Sequence, residues 1–157
     1  MFGLDSDFLF YIPGLLLALT VHEFAHSWVS SRLGDPTPKL QGRLSFNPLN
    51  HIDPIGFIMM IVFRFGWCKP VEINPFYYKN RRQGMLMVAL AGPAANFLTA
   101  LLVALLYGLL TIVLPVSILF NTYLIKVLLG ILMYNVNLGL FNLIPIPPLD
   151  GSKVLEG

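Results

Sequence analysis

The sequence predicts an all-α membrane protein: a polytopic bundle of three or four transmembrane helices, with a short re-entrant or β-like segment after the first helix. Three observations carry this. Apolar residues make up 56% of the 157 residues and charged residues only 11%, against about 45–50% and about 25% in soluble domains. The mean hydropathy is +0.73. No charged residue occurs from Gln83 to Ile125, or again from Val127 to Leu149, a length that holds at least two spans of about 20 residues each. The composition excludes a disordered chain, and a single cysteine, Cys68, excludes a disulfide scaffold. The net charge of +2 gives no nucleic-acid signal. One domain over 1–157 is expected.

The first span is read at about 8–31. Phe8 to Val21 is apolar, His22, Glu23 and His26 interrupt the pattern, and Trp28 and Val29 resume it. A cleaved signal peptide fits poorly, since Asp5 and Asp7 stand where lysine or arginine is expected. The next helices are placed near 84–113 and 118–141, with Pro115 and Ser117 at the turn. The last stops before Pro145, Pro147 and Pro148, because a helix interior rejects proline. Residues 32–82 form a re-entrant or loop region. Leu40–Asn47 alternates weakly and reads as a short strand or hairpin. Ile55–Phe63 is apolar but too short to span.

Orientation follows from the cations. Arg32, Lys39, Arg43, Arg64, Lys69, Lys79, Arg81 and Arg82 all lie in 32–82, and the turn near 114–117 has none. The positive-inside rule puts 32–82 on the cytoplasmic side of the cell membrane and the N-terminus outside. These cations read as topology and headgroup anchors. Trp28 and Trp67 read as interface anchors.

The chemistry lies in His22-Glu23-Phe24-Ala25-His26. Residues four apart share a helix face, so both imidazoles can bind one metal. Zinc takes neutral imidazole nitrogen in tetrahedral geometry and, in a catalytic site, leaves a position for water. Glu23 lies about 100° round from His22, where a general base for that water belongs. Ionisable groups inside a membrane helix are expensive and tend to mark function. With the helix ending at Arg32, the histidines lie about 9–15 Å below the surface at 1.5 Å per residue.

A catalytic zinc usually has three protein ligands. Asp35, His51, Asp53, Glu72, Asp150 and Glu156 are the candidates for the third. His51 and Asp53, two apart in a turn-rich loop, remain open on chemistry alone. Asp150 has the stronger case: it follows Asn142-Leu-Ile-Pro-Ile-Pro-Pro-Leu, which must leave the helix at membrane depth and line a polar cavity. Its competing role is an N-cap for Gly151-Ser-Lys-Val-Leu.

His22-Glu-Phe-Ala-His26 together with Asn142-x-x-Pro145-x-x-x-Leu149-Asp150-Gly151 resembles the site-2 protease family of intramembrane zinc metalloproteases. Ala91-Gly-Pro-Ala-Ala-Asn96 looks like the family's G-P-x-x-N element. The stretch from Gly42 to Gly56 looks like that following the first ligand helix in small prokaryotic members. The resemblance covers nearly the whole chain. It implies one Zn²⁺ per chain held by His22, His26 and Asp150, with Glu23 activating water. The implied substrate is a transmembrane-helix protein, cut within the bilayer in regulated intramembrane proteolysis.

Asn96 and Asn142 are candidate oxyanion or substrate contacts, with helix–helix hydrogen bonding the alternative for Asn96. The 40–50 segment is a candidate edge for an extended substrate. No PDZ-like insert or nucleotide-binding regulatory domain is seen. Relatives usually continue past the position of Gly157, so a fragment is expected. The rival function is a membrane metal-binding or metal-transport protein, which has no need of Glu23 beside the first histidine. A non-catalytic interaction partner is disfavoured by the intact Glu23.

Overall fold

The computed structural model describes residues 8–63 and 66–156, the last two in backbone only. Asp5, Asp7, Arg64 and the side chain of Glu156, which the sequence reading also used, lie outside what is described. Seven helices occur among the described residues: α1 (Phe8–Arg32), α2 (Thr37–Leu40), α3 (Pro54–Phe63), α4 (Arg81–Val113), α5 (Val116–Leu119), α6 (Thr122–Asn142) and α7 (Asp150–Glu156). α1, α4 and α6 are the three long and apolar enough to cross a membrane.

The caps explain where the second and third spans start. Asn80 accepts from Gln83 N, so α4 begins at Arg81, three residues before the first clean apolar position. Asn121 accepts from the backbone N–H groups of Tyr123 and Leu124. The turn that the sequence places at 114–117 therefore continues through the short α5 before α6 starts at Thr122.

The three spans pack on one another. α1 and α6 approach so closely that a Cβ on Gly14 would strike the backbone of Gly130 and Ile131. Small residues give this approach in membrane helices, where van der Waals contact and polar bonds replace the hydrophobic effect between helices. The outer faces are apolar and exposed, as at Leu98, Leu101, Leu105, Leu109 and Ile112 of α4. In water such a patch would aggregate, and in a bilayer it meets lipid. The chain is a multi-pass membrane protein.

The region between α1 and α4 differs from the expectation. Leu40–Asn47 forms no strand; Gly42 turns the chain with φ 69°, and a 3₁₀ turn follows at Pro48–Asn50. The β-like character reduces to one isolated antiparallel bridge, Ile52 with Cys68. The reason is that a side chain takes the acceptors a partner strand would use. The buried Arg43 guanidinium donates to the carbonyls of Asn50 (2.8 Å), Lys69 (3.1 Å) and Pro70 (3.2 Å). α3 spans only ten residues, about 15 Å at 1.5 Å each, half a bilayer core. Asp53 caps it by accepting from Gly56 N.

Candidate metal centre

His22 and His26 stand on the buried face of α1, one turn apart. α7 brings Asp150 against them. Asp150 Oδ2 lies 3.1 Å from His22 Nε2 and 3.0 Å from His26 Nε2, and the two Nε2 atoms are 3.0 Å apart. One ligand atom from each residue lies within 4.8 Å of the others, and all three residues are buried. This is the one such group of histidine, cysteine or carboxylate side chains among the described residues.

The far sides of the rings fix their chemistry. His22 Nδ1 lies 2.6 Å from Asn96 Oδ1, and His26 Nδ1 lies 2.7 Å from the carbonyl of Val88. The amide nitrogen of Asn96 donates to Ala18 O and to Asn135 Oδ1, both at 2.9 Å. Its oxygen is therefore the acceptor, and His22 Nδ1 carries the proton. Val88 offers only a carbonyl, so His26 Nδ1 also carries its proton. Both Nε2 atoms of the neutral rings then present lone pairs toward the same carboxylate oxygen. Three acceptors converging in a buried site repel unless a cation joins them. Two imidazole nitrogens and a carboxylate are a donor set for a divalent transition metal with a position left open.

Two glycines make the convergence possible. A Cβ on Gly92 of α4 would strike His26 Nε2 and come within 2.6 Å of His22 Cε1. A Cβ on Gly151 would strike Leu143 O and lie 2.6 Å from Ile144 O, which would push α7 off the end of α6. The element Ala91-Gly-Pro-Ala-Ala-Asn96 thus supplies both the clearance for the imidazoles and the amide behind one of them.

His22, Glu23 and His26 line a cavity of about 140 Å³ together with Asn142, Pro148, Asp150, Lys153, Val88 and the loop residues Pro70, Val71 and Ile73. Asn142 donates one amide hydrogen to Leu138 O. The Lys153 ammonium lies 3.4 Å from Asp150 Oδ1, the carboxylate oxygen turned away from the histidines. Asp150 begins α7, but its carboxylate faces these partners and accepts no backbone N–H of that helix among the described bonds.

The other sequence candidates lie elsewhere. Asp35 accepts from Ser30 Oγ, Thr37 N and Asn74 N. His51 donates from Nε2 to Ser45 O, Asp53 caps α3, and Glu72 accepts from Gln41. Asn96, read from sequence as an oxyanion donor or a helix–helix bond, sits behind His22. Both its N–H groups bond α1 and α6, the helix–helix bonding that the sequence offered as the alternative. The 40–50 segment offers no strand edge. Cys68 is a half-buried free thiol, and burial, with the charge of Glu23 adding to it, pushes it up to about 12, away from the thiolate. Sequence reasoning missed Lys153, Gly92, Asn135 and the 70–73 wall. Only Gly92, inside a recognised element, carried a signal.

Residues 106–157 match Peptidase family M50. Three relatives carry names that assign them as zinc metalloproteases by inference. YwhC of Bacillus subtilis is 38% identical over 143 residues, covering 90% of this chain and 65% of the relative. Rip2 of Mycolicibacterium smegmatis is 34% identical over 156 residues, and Rip2 of Mycobacterium tuberculosis 30% over 159, each covering 95% of this chain and 57% of the relative. The chain thus spans less than two thirds of the length of these relatives. No solved structure matches it. The profile match over the last third of the chain and these relatives, together with the H-E-x-x-H and L-D-G elements, make the chain similar to peptidase family M50, the site-2 protease family.

Proposed function

We infer that this chain is the catalytic part of an intramembrane zinc metalloprotease that hydrolyses peptide bonds in or near the transmembrane segments of other membrane proteins. The observation that carries this is the locked pair of imidazoles. Both Nε2 lone pairs face one carboxylate oxygen at membrane depth, and Glu23 opens on the same cavity. His22, His26 and Asp150 would hold Zn²⁺, one per chain, which when bound polarises a scissile carbonyl and acidifies a water to a pKa of about 7. Glu23, which lines the same cavity, would act as the general base, holding a proton on its carboxylate and passing it to the leaving amine. Asn96 and Val88 O keep the rings in the ligating tautomer. Asn142 and Lys153 line the cavity, and the second amide hydrogen of the one and the ammonium of the other are the groups available to a developing oxyanion. A substrate helix must unwind before its carbonyl is open to attack. Regulated cleavage of such a helix is the physiological role this reading supports.

The test is Glu23→Gln in the full-length protein, with a membrane-embedded helical substrate carrying a helix-loosening glycine or proline. Zinc content stays at the wild-type level, and cleavage falls about 10²–10⁴-fold, the usual loss for a positioned general base. Unchanged cleavage sinks the mechanism. Metal flux without any cut peptide bond identifies a transporter instead. The eight cations of 32–82 support a cytoplasmic location for that region and an outside N-terminus. A cysteine at position 39 or 79 should then react only with a membrane-permeant reagent in oriented cells. Reaction with an impermeant reagent from outside inverts the topology.

A further inference from the structure

We propose that Val71 and Ile73 are specificity-determining residues of the metal cavity, forming the apolar wall that selects the side chains flanking the scissile bond. The proposal rests on the proteolytic reading above. It starts from the segment without helix or strand that leads from the Ile52–Cys68 bridge to the 3₁₀ turn at Pro75–Tyr77.

Val71 and Ile73 both line the cavity beside His22, Glu23 and Asp150. Glu72, between them, points away: it is exposed and accepts from Gln41 Nε2 at 2.6 Å. Both lining residues are β-branched, with few accessible χ1 rotamers. They bring shape and no chemistry to the site, which is what a size filter requires.

A wall selects only if it does not yield, and this one is fastened at both ends. At one end Arg43 donates to the carbonyls of Lys69 and Pro70, and Lys69 N donates to His51 O at 3.0 Å. At the other end Asn74 N donates to Asp35 Oδ2 at 2.7 Å. Asp35 is itself held by Ser30 of α1 (2.8 Å) and Thr37 N (2.9 Å). Arg43 and Asp35 are buried. Because Ser30 lies on the same helix as His22 and His26, the wall and the ligands share one frame. With about 140 Å³ between them, a change of a few methyl groups is a large fraction of the space.

A single methylene in an apolar subsite changes kcat/KM by about 10–200-fold. The experiment uses the full-length, zinc-loaded protein and matched membrane-embedded peptides that differ only in alanine or phenylalanine at each position flanking the cut. Val71→Ala should raise the Phe-to-Ala ratio of kcat/KM at one flanking position by about tenfold, with zinc content unchanged. Val71→Phe should lower the same ratio, and Ile73→Ala should shift it at a position of its own or at the same one. Glu72→Ala, on the same segment but facing away, should leave every ratio within about twofold. Ratios unmoved by both Val71 variants overturn the inference while leaving the protease reading intact. So does an equal loss on both peptides, the mark of a segment that only supports the fold. A zinc-loaded wild-type protein that cuts no peptide overturns the protease reading and the inference with it.

Discussion

Among the described residues, buried polar side chains gather around Asp150 and, elsewhere, around Asp35 and Arg43, and the two regions are built on opposite rules. Around Asp35 and Arg43, donors and acceptors are matched. The Asp35 carboxylate receives Ser30, Thr37 N and Asn74 N, and Arg43 gives its protons to three carbonyls. Among the described residues, only Ser31 Oγ and the Nδ1 lone pair of His51 have no partner among buried side-chain atoms. Around Asp150, acceptors face acceptors: two imidazole nitrogens and a carboxylate oxygen at 3.0–3.1 Å, with every available ring proton drawn to the far side. Matched burial makes structure, since each buried group keeps a hydrogen bond. With both imidazoles neutral, such a cluster is completed by a cation, which is what a metal centre requires and a structural hydrogen-bond knot does not.

The sharpest way to break the contrast is to remove one acidic or imidazole member from each side. Asp150→Ala should strip the metal, with a larger fall in affinity than the 10–100-fold typical of outer-shell changes. His51→Ala should cost stability, roughly 1–3 kcal/mol from the bond lost at Ser45 O, and leave about one zinc per chain. Elemental analysis of both purified variants decides the matter. Loss of zinc from His51→Ala with retention in Asp150→Ala would reverse the assignment of the two clusters.

A smaller effect is expected from Asn96→Ala, which lies between the two kinds of cluster. Its oxygen serves the metal side by fixing His22, and its nitrogen serves the scaffold by joining α1 to α6. Metal affinity should fall about 10–100-fold, and helix packing should loosen. Competition with a chelator of graded strength measures the first. If affinity is unchanged while thermal stability drops, Asn96 belongs to the scaffold alone and the tautomer argument for His22 fails.

The difference between the clusters also explains what could be read from sequence. His22, Glu23 and His26 were legible because charge inside an apolar run is costly and their spacing matches a helix turn. Asp150 was legible only as the stronger of several candidates, since nothing local tells a ligand from a cap. Three apolar spans followed from hydropathy, because in a bilayer every backbone group must bond within its own helix or to covered neighbours. The 32–82 region was not legible. Its fold depends on where Arg43 sends its protons, and no period of two or 3.6 records a side chain that satisfies a distant backbone. Asn96, for which an oxyanion contact and helix–helix bonding both stood open, could not be decided from sequence for a related reason: its partners are 74, 78 and 39 residues away.

The smallest effect, and the one that probes the matched cluster from within, is the acid sensitivity of Asp35. Burial alone would raise its pKa, but the donors from Asn74, Thr37 and Ser30 outweigh it and hold the carboxyl below the ordinary range. In the unfolded chain an aspartate titrates near about 3.9. A folded value below that means the unfolded state binds the proton first, so Asp35 contributes its full stabilisation above about pH 4 and loses it as the pH falls through the lower, folded value. Asp35→Asn cannot titrate and leaves at least one donor poorly matched, a cost of roughly 1–3 kcal/mol at neutral pH. The stability gap between wild type and variant, measured by thermal unfolding of the zinc-free protein in detergent, should therefore be constant from pH 7 to about 5 and narrow below about 4. Working without zinc keeps the proton competition at His22 and His26 out of the comparison, and taking the difference cancels the carboxylates the two proteins share. A gap that stays constant through pH 3 would mean that Asp35 is not the ionised hub of its cluster, and the wall at Val71 and Ile73 would then be held chiefly at its other end, by Arg43 and the Lys69 N to His51 O bond.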